Sequence, residues 1–212
     1  TYTYTDGNGC TAFDTDDVEV FALPTVTFTA LADLCIDAGV QAALGGGTPA
    51  GGIYSGPGVT DNGNGTDYDF DPAAAGVGTH TITYTVITLP NPPGCSSFDT
   101  DDVEVFALPT ATLSGGGTIC SGDPIPDMTV TLTGAAPWSI TYTDGVTPVT
   151  VPGIMTSPYT ISGAADGSYV LSAVSDASCT GTFSGSAIIT TNPLPTATLS
   201  GGGTICSGDP IP

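Results

Sequence analysis

Apolar and polar residues alternate along this chain in short runs, and the alternation predicts β-strands. Between residues 79 and 86, threonine occupies every odd position, and His80, Ile82, Tyr84 and Val86 occupy the even ones. A period of two indicates a strand with one buried and one solvent-facing side. Similar runs predict further strands at 25–30, 129–133, 139–143, 169–174 and 187–191.

Turn-forming Gly, Pro, Asn and Asp residues separate these runs. About seven short strands in roughly 85 residues are typical of an immunoglobulin-like β-sandwich. Residues 31–44 have some helical propensity, but the repeat frame described next favours a strand there. We therefore expect an all-β chain made of tandem immunoglobulin-like β-sandwich domains of about 85 residues, arranged as beads on a string.

Two sequence strings occur twice and reveal internal repeats. DTDDVEVFALPT stands at 14–25 and 99–110, and LPTATLSGGGTICSGDPIP stands at 108–126 and 194–212. The strings overlap at a Leu-Pro-Thr segment, which marks the junction between repeats. We predict the C-terminal part of an acidic repeat at 1–24, a complete acidic repeat at 25–109, a complete neutral repeat at 110–195, and the N-terminal part of a further neutral repeat at 196–212.

The charge of the chain excludes several functions. It has no Lys or Arg, one His and 21 acidic residues, for a formal net charge of −21. Nucleic acids and anionic membranes attract basic side chains, so we expect neither as a partner. Hydrophobic residues make up 40% of the chain, enough for a packed core, yet no run is long enough to span a membrane. Targeting signals are expected outside these residues.

Six cysteines indicate an oxidising compartment, with a spacing of 60 residues in the acidic repeat and 59 in the neutral one. This regularity favours disulfides joining Cys35 with Cys95 and Cys120 with Cys179. The alternative pairs Cys10 with Cys35, Cys95 with Cys120 and Cys179 with Cys206, across repeat junctions.

Several phrases resemble one family: GGTPAGGIYSGPGV at 46–59, DNGNGTDYDFDP at 61–72, GVGTHTITYT at 76–85, GAAPWSITYTDG at 134–145 and NPLPTATLSG at 192–201. The chain resembles the Ig-like and PKD-like tandem repeats of giant surface adhesins and extracellular filament proteins of the Bacteroidota, including those associated with gliding and type IX secretion. The resemblance implies an extended extracellular stalk or fibre.

Acidic clusters are the best candidates for binding chemistry, because no Lys or Arg is present to pair with them. Hard cations prefer carboxylate and amide oxygens, so calcium is the expected ligand. The candidate calcium ligands are Asp14, Asp16 and Asp17, their copies Asp99, Asp101 and Asp102, and the loop residues Asp61, Asn64, Asp67 and Asp69. The alternative for the loop is a Gly-Asn-Gly turn followed by a solvated strand.

We therefore expect a structural module of an extracellular bacterial fibre or adhesin stalk, which provides reach and resists force and proteolysis. Its expected partners are neighbouring repeats or subunits of a fibre, and also glycans or surfaces. The alternative is a calcium-dependent adhesin module that binds a glycan or a surface. We expect no enzymatic activity and no catalytic residues, because the paired carboxylates lack a buried setting that would separate their pKa values.

Overall fold

The computed structural model describes residues 1–17, 20–88, 94–202, 204, 206 and 207. Its described secondary structure is sixteen β-strands and one short α-helix. The chain divides into two compact units, Thr1–Phe106 and Ala107–Pro212. The chain is therefore all-β, as the alternation predicts. The predicted four-part division stays a prediction, and its last part lies partly outside the described residues.

Unit 1 contains nine strands and the helix: β1 (Tyr2–Thr5), β2 (Thr11–Asp14), β3 (Leu34–Cys35), β4 (Gln41–Leu44), β5 (Ile53–Ser55), β6 (Val59–Asp61), β7 (Tyr68–Phe70), α1 (Pro72–Ala75), β8 (Gly78–Thr88) and β9 (Cys95–Phe106). β1 and β2 form a separate antiparallel hairpin. The other strands form a four-stranded sheet in the order β3-β9-β8-β5 and a three-stranded sheet in the order β4-β7-β6.

Aromatic side chains dominate the core of unit 1. The fully or almost fully buried residues are Phe28, Tyr54, Tyr68, Phe70, Ile82, Tyr84, Val86, Val103 and Val105. The Tyr54 ring centroid lies 4.5 Å from those of both Tyr68 and Tyr84, and 5.8 Å from that of Phe28. Because these rings come from both sheets and from the segment before β3, the core joins all three.

Unit 2 contains seven strands: β10 (Thr110–Cys120), β11 (Met128–Thr133), β12 (Trp138–Thr143), β13 (Pro148–Ile154), β14 (Tyr159–Ile161), β15 (Gly167–Ser175) and β16 (Thr182–Asn192). Their order is β13-β12-β15-β16-β10-β11-β14, and only β10 and β16 pair in parallel. Val130, on β11, and Ile140, on β12, belong to one buried cluster although their strands lie near opposite ends of this order. The sheet must therefore curl over on itself to enclose its core.

Most predicted strands are present, one predicted strand is not continuous, and one helix was not predicted. The region 31–44 contains β3 and β4, as the repeat frame favours, with a turn between them. The predicted strand at 25–30 forms no continuous ladder, and its one bridge joins Thr27 to Thr48. The helix α1 was not predicted, although Asp71 followed by Pro72 is an ordinary start signal: the Asp71 carboxylate accepts hydrogen bonds from the first turn.

Candidate functional site

The DTDD motif lies in β9, and its alternation separates the three aspartates. Asp99 and Asp101 are on the same face as Val103 and Val105, which are 0% and 1% exposed. Asp102 is on the opposite face, where the Thr81 hydroxyl donates a hydrogen bond of 2.7 Å to it. The motif is therefore not one cluster: two carboxylates are directed toward the core side and one toward solvent.

Asp99 and Asp101 hold residues 25–33, here called the leading segment, against β9. Asp101 accepts hydrogen bonds from its own neighbour, the N–H of Asp102, at 3.0 Å, and from the N–H of Ala30, at 3.0 Å. Asp99 likewise accepts from the N–H groups of Thr100, at 3.0 Å, and Phe28, at 2.9 Å. Each carboxylate thus joins one backbone N–H of β9 to one of the leading segment; we call the pair the carboxylate bridge.

The bridge continues the register of a true parallel ladder. Leu34 pairs with Val105 and Cys35 with Phe106. The bonded pairs Phe28 with Asp99 and Ala30 with Asp101 have the same sequence offset of 71. Asp33 supplies a third contact at this offset, by accepting from the N–H of Glu104 at 2.9 Å. The leading segment therefore runs parallel to β9, with side-chain oxygens in place of main-chain carbonyls.

In unit 2, main-chain hydrogen bonds join the first and last strands, where unit 1 uses the carboxylate bridge. The first strand β10 pairs in parallel with the last strand β16, from Thr110 opposite Thr182 to Cys120 opposite Asn192. Gly185 precedes the buried Ala187 by two residues, as Asp101 precedes the buried Val103. A Cβ on Gly185 would collide with the Leu113 carbonyl oxygen. Glycine lets the two strands of unit 2 approach closely, whereas aspartate spans a wider gap in unit 1.

The chemistry of the carboxylate explains why aspartate suits the gap. An ionised carboxylate only accepts hydrogen bonds, so both of its oxygens can face N–H donors. Hydrogen bonds to a charged acceptor are also shorter and stronger than neutral ones. The N–H of Phe28 belongs to a core residue that is 6% exposed. The bridge therefore fixes the main chain that presents this core side chain.

Hydrogen bonds within the protein also occupy the predicted loop ligands. The Asn64 side chain donates to Asp67 at 2.8 Å, and Asn62 donates to Asp67 at 2.6 Å and to Asp69 at 3.1 Å. The Asn62 and Asn64 amides lower the pKa of Asp67, which stays ionised at mildly acidic pH. Asp61 accepts from the N–H groups of Tyr54 and Gly63, both at 3.1 Å.

The remaining predicted ligands lie at the end of β2, at Asp14, and just after it, at Asp16 and Asp17. Asp14 accepts from the N–H of Thr15 at 2.9 Å, and Asp16 accepts from the N–H of Asp17 at 3.0 Å. These contacts repeat the local half of the carboxylate bridge. Among the residues that the structure describes, no three His, Cys, Asp or Glu side chains converge in a group that could hold a metal ion. Calcium binding at Asp14, Asp16, Asp17, Asp99, Asp101, Asp102, Asp61, Asn64, Asp67 or Asp69 stays a prediction.

The predicted disulfides differ from the structure. Cys35 and Cys179 are disulfide-bonded, whereas Cys95 and Cys120 are free thiols, so neither predicted pair forms. Strand direction gives the reason in unit 1. Cys35 lies opposite Phe106, and Cys95 begins the same strand β9 eleven residues earlier. At about 3.3 Å per residue that is roughly 36 Å, far beyond the reach of a disulfide.

The second pair fails for the same reason. Cys120 ends β10 opposite Asn192, whereas Cys179 precedes Thr182, which lies opposite the start of β10. The two cysteines are therefore near opposite ends of a strand of about 33 Å. The similar spacings of 60 and 59 residues therefore reflect the repetition of the sequence and do not indicate that the cysteines are close in space. The alternative pairing of Cys95 with Cys120 is also not formed, because both have free thiols.

Comparisons with known proteins yield structural similarity alone. No family model matches the chain, and no curated protein matches it. Among solved structures, it is similar to the N-terminal four Ig domains of Dscam1 isoform 4.44, with 14% identity over 87% of this chain and 51% of that one, at a TM-score of 0.40. It is also similar to the Ig1–Ig3 ectodomain of mouse nectin-like molecule 4, with 17% identity, coverages of 84% and 66%, and a TM-score of 0.27. The chain spans about half the length of the Dscam1 structures that it matches.

No helix among the described residues is both long enough and apolar enough to cross a membrane.

Proposed function

We propose that the chain is a structural or adhesion-type module of an extracellular protein, built from tandem immunoglobulin-like sandwich domains. The strand order of unit 2 supports the fold assignment: β10, β11 and β14 are neighbours, as are β12, β15 and β16. This grouping matches the ABE and CFG strands of an immunoglobulin-like domain. The disulfide-bonded cysteines support an oxidising, extracellular or cell-surface location.

The observation that carries the structural role is that, in each unit, the segment that opens the sandwich runs parallel to the strand that ends it; in unit 1 the opening segment follows the separate β1–β2 hairpin. In unit 2 the two segments are β10 and β16, and in unit 1 they are the leading segment and β9. In parallel neighbours, the start of the first and the end of the last lie at opposite ends of the unit. Tension applied through the chain therefore loads all bonds between them together in shear, rather than opening them one at a time.

This geometry fits a spacer that transmits force in a fibre or adhesin stalk, with neighbouring repeats or subunits as partners. We extend the proposal to the surface adhesins and filament proteins of the Bacteroidota, whose repeat phrases the sequence resembles. The acidic residues fit the same structural role, because the carboxylates of Asp99, Asp101 and Asp33 accept hydrogen bonds from the backbone of unit 1 and so help to hold its segments together. No catalytic step is part of the proposal.

Single-molecule pulling on the full chain, through tags at its two termini, tests this role. We expect two main unfolding events, each requiring high force, with the weaker event assigned to unit 1 because fewer main-chain bonds join its parallel segments. The double variant Asp99→Asn with Asp101→Asn should lower the weaker event only. Unfolding of both units at forces near those of a simple unzipping hairpin would contradict the proposal.

A calcium-dependent module that binds a glycan or a surface is the alternative. The observation in its favour is the Asp61–Asp69 region, where the Asn62 and Asn64 amides hold the half-buried carboxylates of Asp67 and Asp69 in place. Thermal unfolding with calcium and then with excess chelator tests it. A lower midpoint on chelation that disappears in Asp67→Asn would favour this alternative, and an unchanged midpoint would contradict it.

A further inference from the structure

The chain contains three Asn-Gly steps: Asn8-Gly9 in the turn between β1 and β2, and Asn62-Gly63 and Asn64-Gly65 in the turn between β6 and β7. At such a step, the backbone nitrogen of glycine can attack the side-chain amide carbon of asparagine, because glycine has no side chain to block the approach. All three asparagines are exposed to solvent. The hydrogen bonds of each side chain therefore decide which of the three reacts first.

The side-chain oxygen of Asn64 is surrounded by hydrogen-bond donors. Oδ1 accepts from the N–H of Thr66 at 2.8 Å, from the Thr66 hydroxyl at 2.9 Å and from the N–H of Asp67 at 3.0 Å. Attack on the amide carbon places negative charge on this oxygen. Donors held at such distances from an oxygen that becomes charged lower the barrier of the reaction. The loop therefore stabilises the transition state of attack at Asn64.

The other reacting groups at this step are also held in place. Because Oδ1 of Asn64 bonds the N–H two residues ahead, the side chain is folded forward over the Gly65 peptide. Its Nδ2 donates to the Asp67 carboxylate at 2.8 Å. The Gly65 carbonyl accepts from the N–H of Gly51 at 2.7 Å, and a Cβ on Gly65 would lie 2.7 Å from the Gly51 Cα. Attacking and attacked groups are thus restrained together, which reduces the entropic cost of reaction.

We propose that Asn64 is a site of self-catalysed modification, at which the folded chain converts asparagine to aspartate and isoaspartate through a cyclic imide with Gly65. A bond forms between the Gly65 nitrogen and Cγ of Asn64, and the bond between Cγ and Nδ2 breaks. The Gly65 nitrogen loses its proton to solvent, and Nδ2 gains a proton from solvent and leaves as ammonia. One water molecule then opens the ring at either carbonyl carbon. No oxidation or reduction takes place, and water is the only co-reactant.

The other two asparagines serve as internal comparisons. The side-chain hydrogen bonds of Asn62 run from Nδ2, to Asp67 at 2.6 Å and to Asp69 at 3.1 Å. They hold the leaving nitrogen and do not stabilise charge on its Oδ1. At Asn8, the backbone N–H donates to Asp6 at 2.9 Å, and this contact does not involve the amide that reacts. We therefore expect Asn64 to be converted first.

Conversion of Asn64 also changes the loop. It replaces the Nδ2 donor by an oxygen, which brings a second negative charge beside the Asp67 carboxylate. One of the two amides that lower the pKa of Asp67 is then lost, so this pKa should rise. The contacts between Asn64 and Asp67 should therefore loosen in converted molecules.

The test is to incubate the full chain at pH 8 and to follow each asparagine by mass spectrometry. Samples are digested with pepsin, which works at acidic pH where further conversion is slow, and fragment spectra distinguish Asn62 from Asn64. We expect conversion at Asn64 to be about 10-fold faster than at Asn62 and Asn8. In concentrated urea the three rates should become similar, because the donors around Asn64 are then lost.

A pair of variants tests the role of the donors. Thr66→Val removes the hydroxyl donor and keeps both backbone N–H donors, so it should slow conversion at Asn64 by about 3- to 10-fold. Thr60→Val makes the same change at an exposed position of β6 and should leave the rate unchanged. The proposal is overturned if Asn64 is no faster than Asn62 and Asn8 in the unaltered folded chain, if its lead persists in urea, or if the two variants react at equal rates.

Discussion

Replacing Asp101 by asparagine should destabilise unit 1 even though it removes a negative charge from a chain of net charge −21. The Asp101 carboxylate accepts two backbone N–H groups, one from Asp102 and one from Ala30. Asparagine has one acceptor oxygen, and its NH₂ group would face the second N–H. Reduced repulsion among the negative charges would alone make the variant more stable, so the two explanations predict changes in stability of opposite sign.

The expected magnitude follows from the lost contact. A hydrogen bond to a charged group contributes about 1.5–3 kcal/mol, and the low end applies because Asp101 is half-buried. A loss of about 1.5 kcal/mol corresponds to a decrease of roughly 6–12 °C in the unfolding midpoint of a domain of this size. The midpoint of unit 2 should stay unchanged.

Asp102→Asn is the matched control for this experiment. Its carboxylate accepts from the Thr81 hydroxyl on the outer face, and an asparagine oxygen can still accept that bond. We expect differential scanning calorimetry of both variants to resolve the two compact units as separate transitions. Equal midpoints for Asp101→Asn and Asp102→Asn, or a higher midpoint for Asp101→Asn, would refute the role of the carboxylate bridge.

Three further predictions concern close packing and pH. Gly185→Ala should destabilise unit 2 by about 3 kcal/mol or more, because the new Cβ would collide with the Leu113 carbonyl oxygen and because the backbone φ of +83° at this position disfavours alanine. A urea unfolding curve like that of the unaltered chain would contradict this. In unit 2, the Thr147 and Val146 N–H groups lower the pKa of Asp144. For Asp176, burial raises the pKa, but N–H donors including that of Cys179 outweigh it and the net pKa is lowered. The stability that these two carboxylates add is complete above the unfolded pKa of about 3.9 and should be lost as pH falls below it; urea midpoints that do not change between pH 5 and pH 2.5 would contradict this. Burial raises the pKa of Tyr68 to about 12, so the unfolded state ionises first and the stability of unit 1 should fall between pH 10 and pH 12; Tyr68→Phe should remove part of that decrease.

Much of the fold could be predicted from the alternation of side chains. β8, β11, β12, β15 and β16 each contain the period-two run that predicted them, because one face of each packs against a core. The segment at 25–30 has an equally clear run, yet it forms no ladder. Its N–H groups at Phe28 and Ala30 donate to side chains, and a propensity pattern does not contain that information.

The candidate site was found in the sequence, but its chemistry was not. The absence of Lys and Arg singled out Asp99 and Asp101 and led to the calcium hypothesis, which stays a prediction. The sequence did contain a signal for the carboxylate bridge. Extending the alternation back from Val103 and Val105 places both aspartates on the inner face of the strand. An inner-face carboxylate near the edge of a sheet needs donors, and backbone N–H groups of a neighbouring segment are the nearest source.

The cysteine pairing could not be deduced from spacing. The nearly equal separations of Cys35 from Cys95 and of Cys120 from Cys179 follow from the repetition of one frame. Whether two cysteines of one repeat are close in space depends on which end of a strand each occupies. That can be judged only once the pairing of β3 with β9 and of β10 with β16 is known. Direction along a strand is a property of topology, which local sequence does not determine.

Amide hydrogen exchange at Phe28 and Ala30, measured by NMR, tests most directly whether carboxylates hold the leading segment. The account predicts slow exchange at both amides in the unaltered chain and fast exchange in the Asp99→Asn and Asp101→Asn double variant. Thr27, whose N–H donates to the Thr48 carbonyl at 2.9 Å, should stay the more protected residue in that variant. Fast exchange of Phe28 and Ala30 in the unaltered chain, or equal protection in both proteins, would contradict the account.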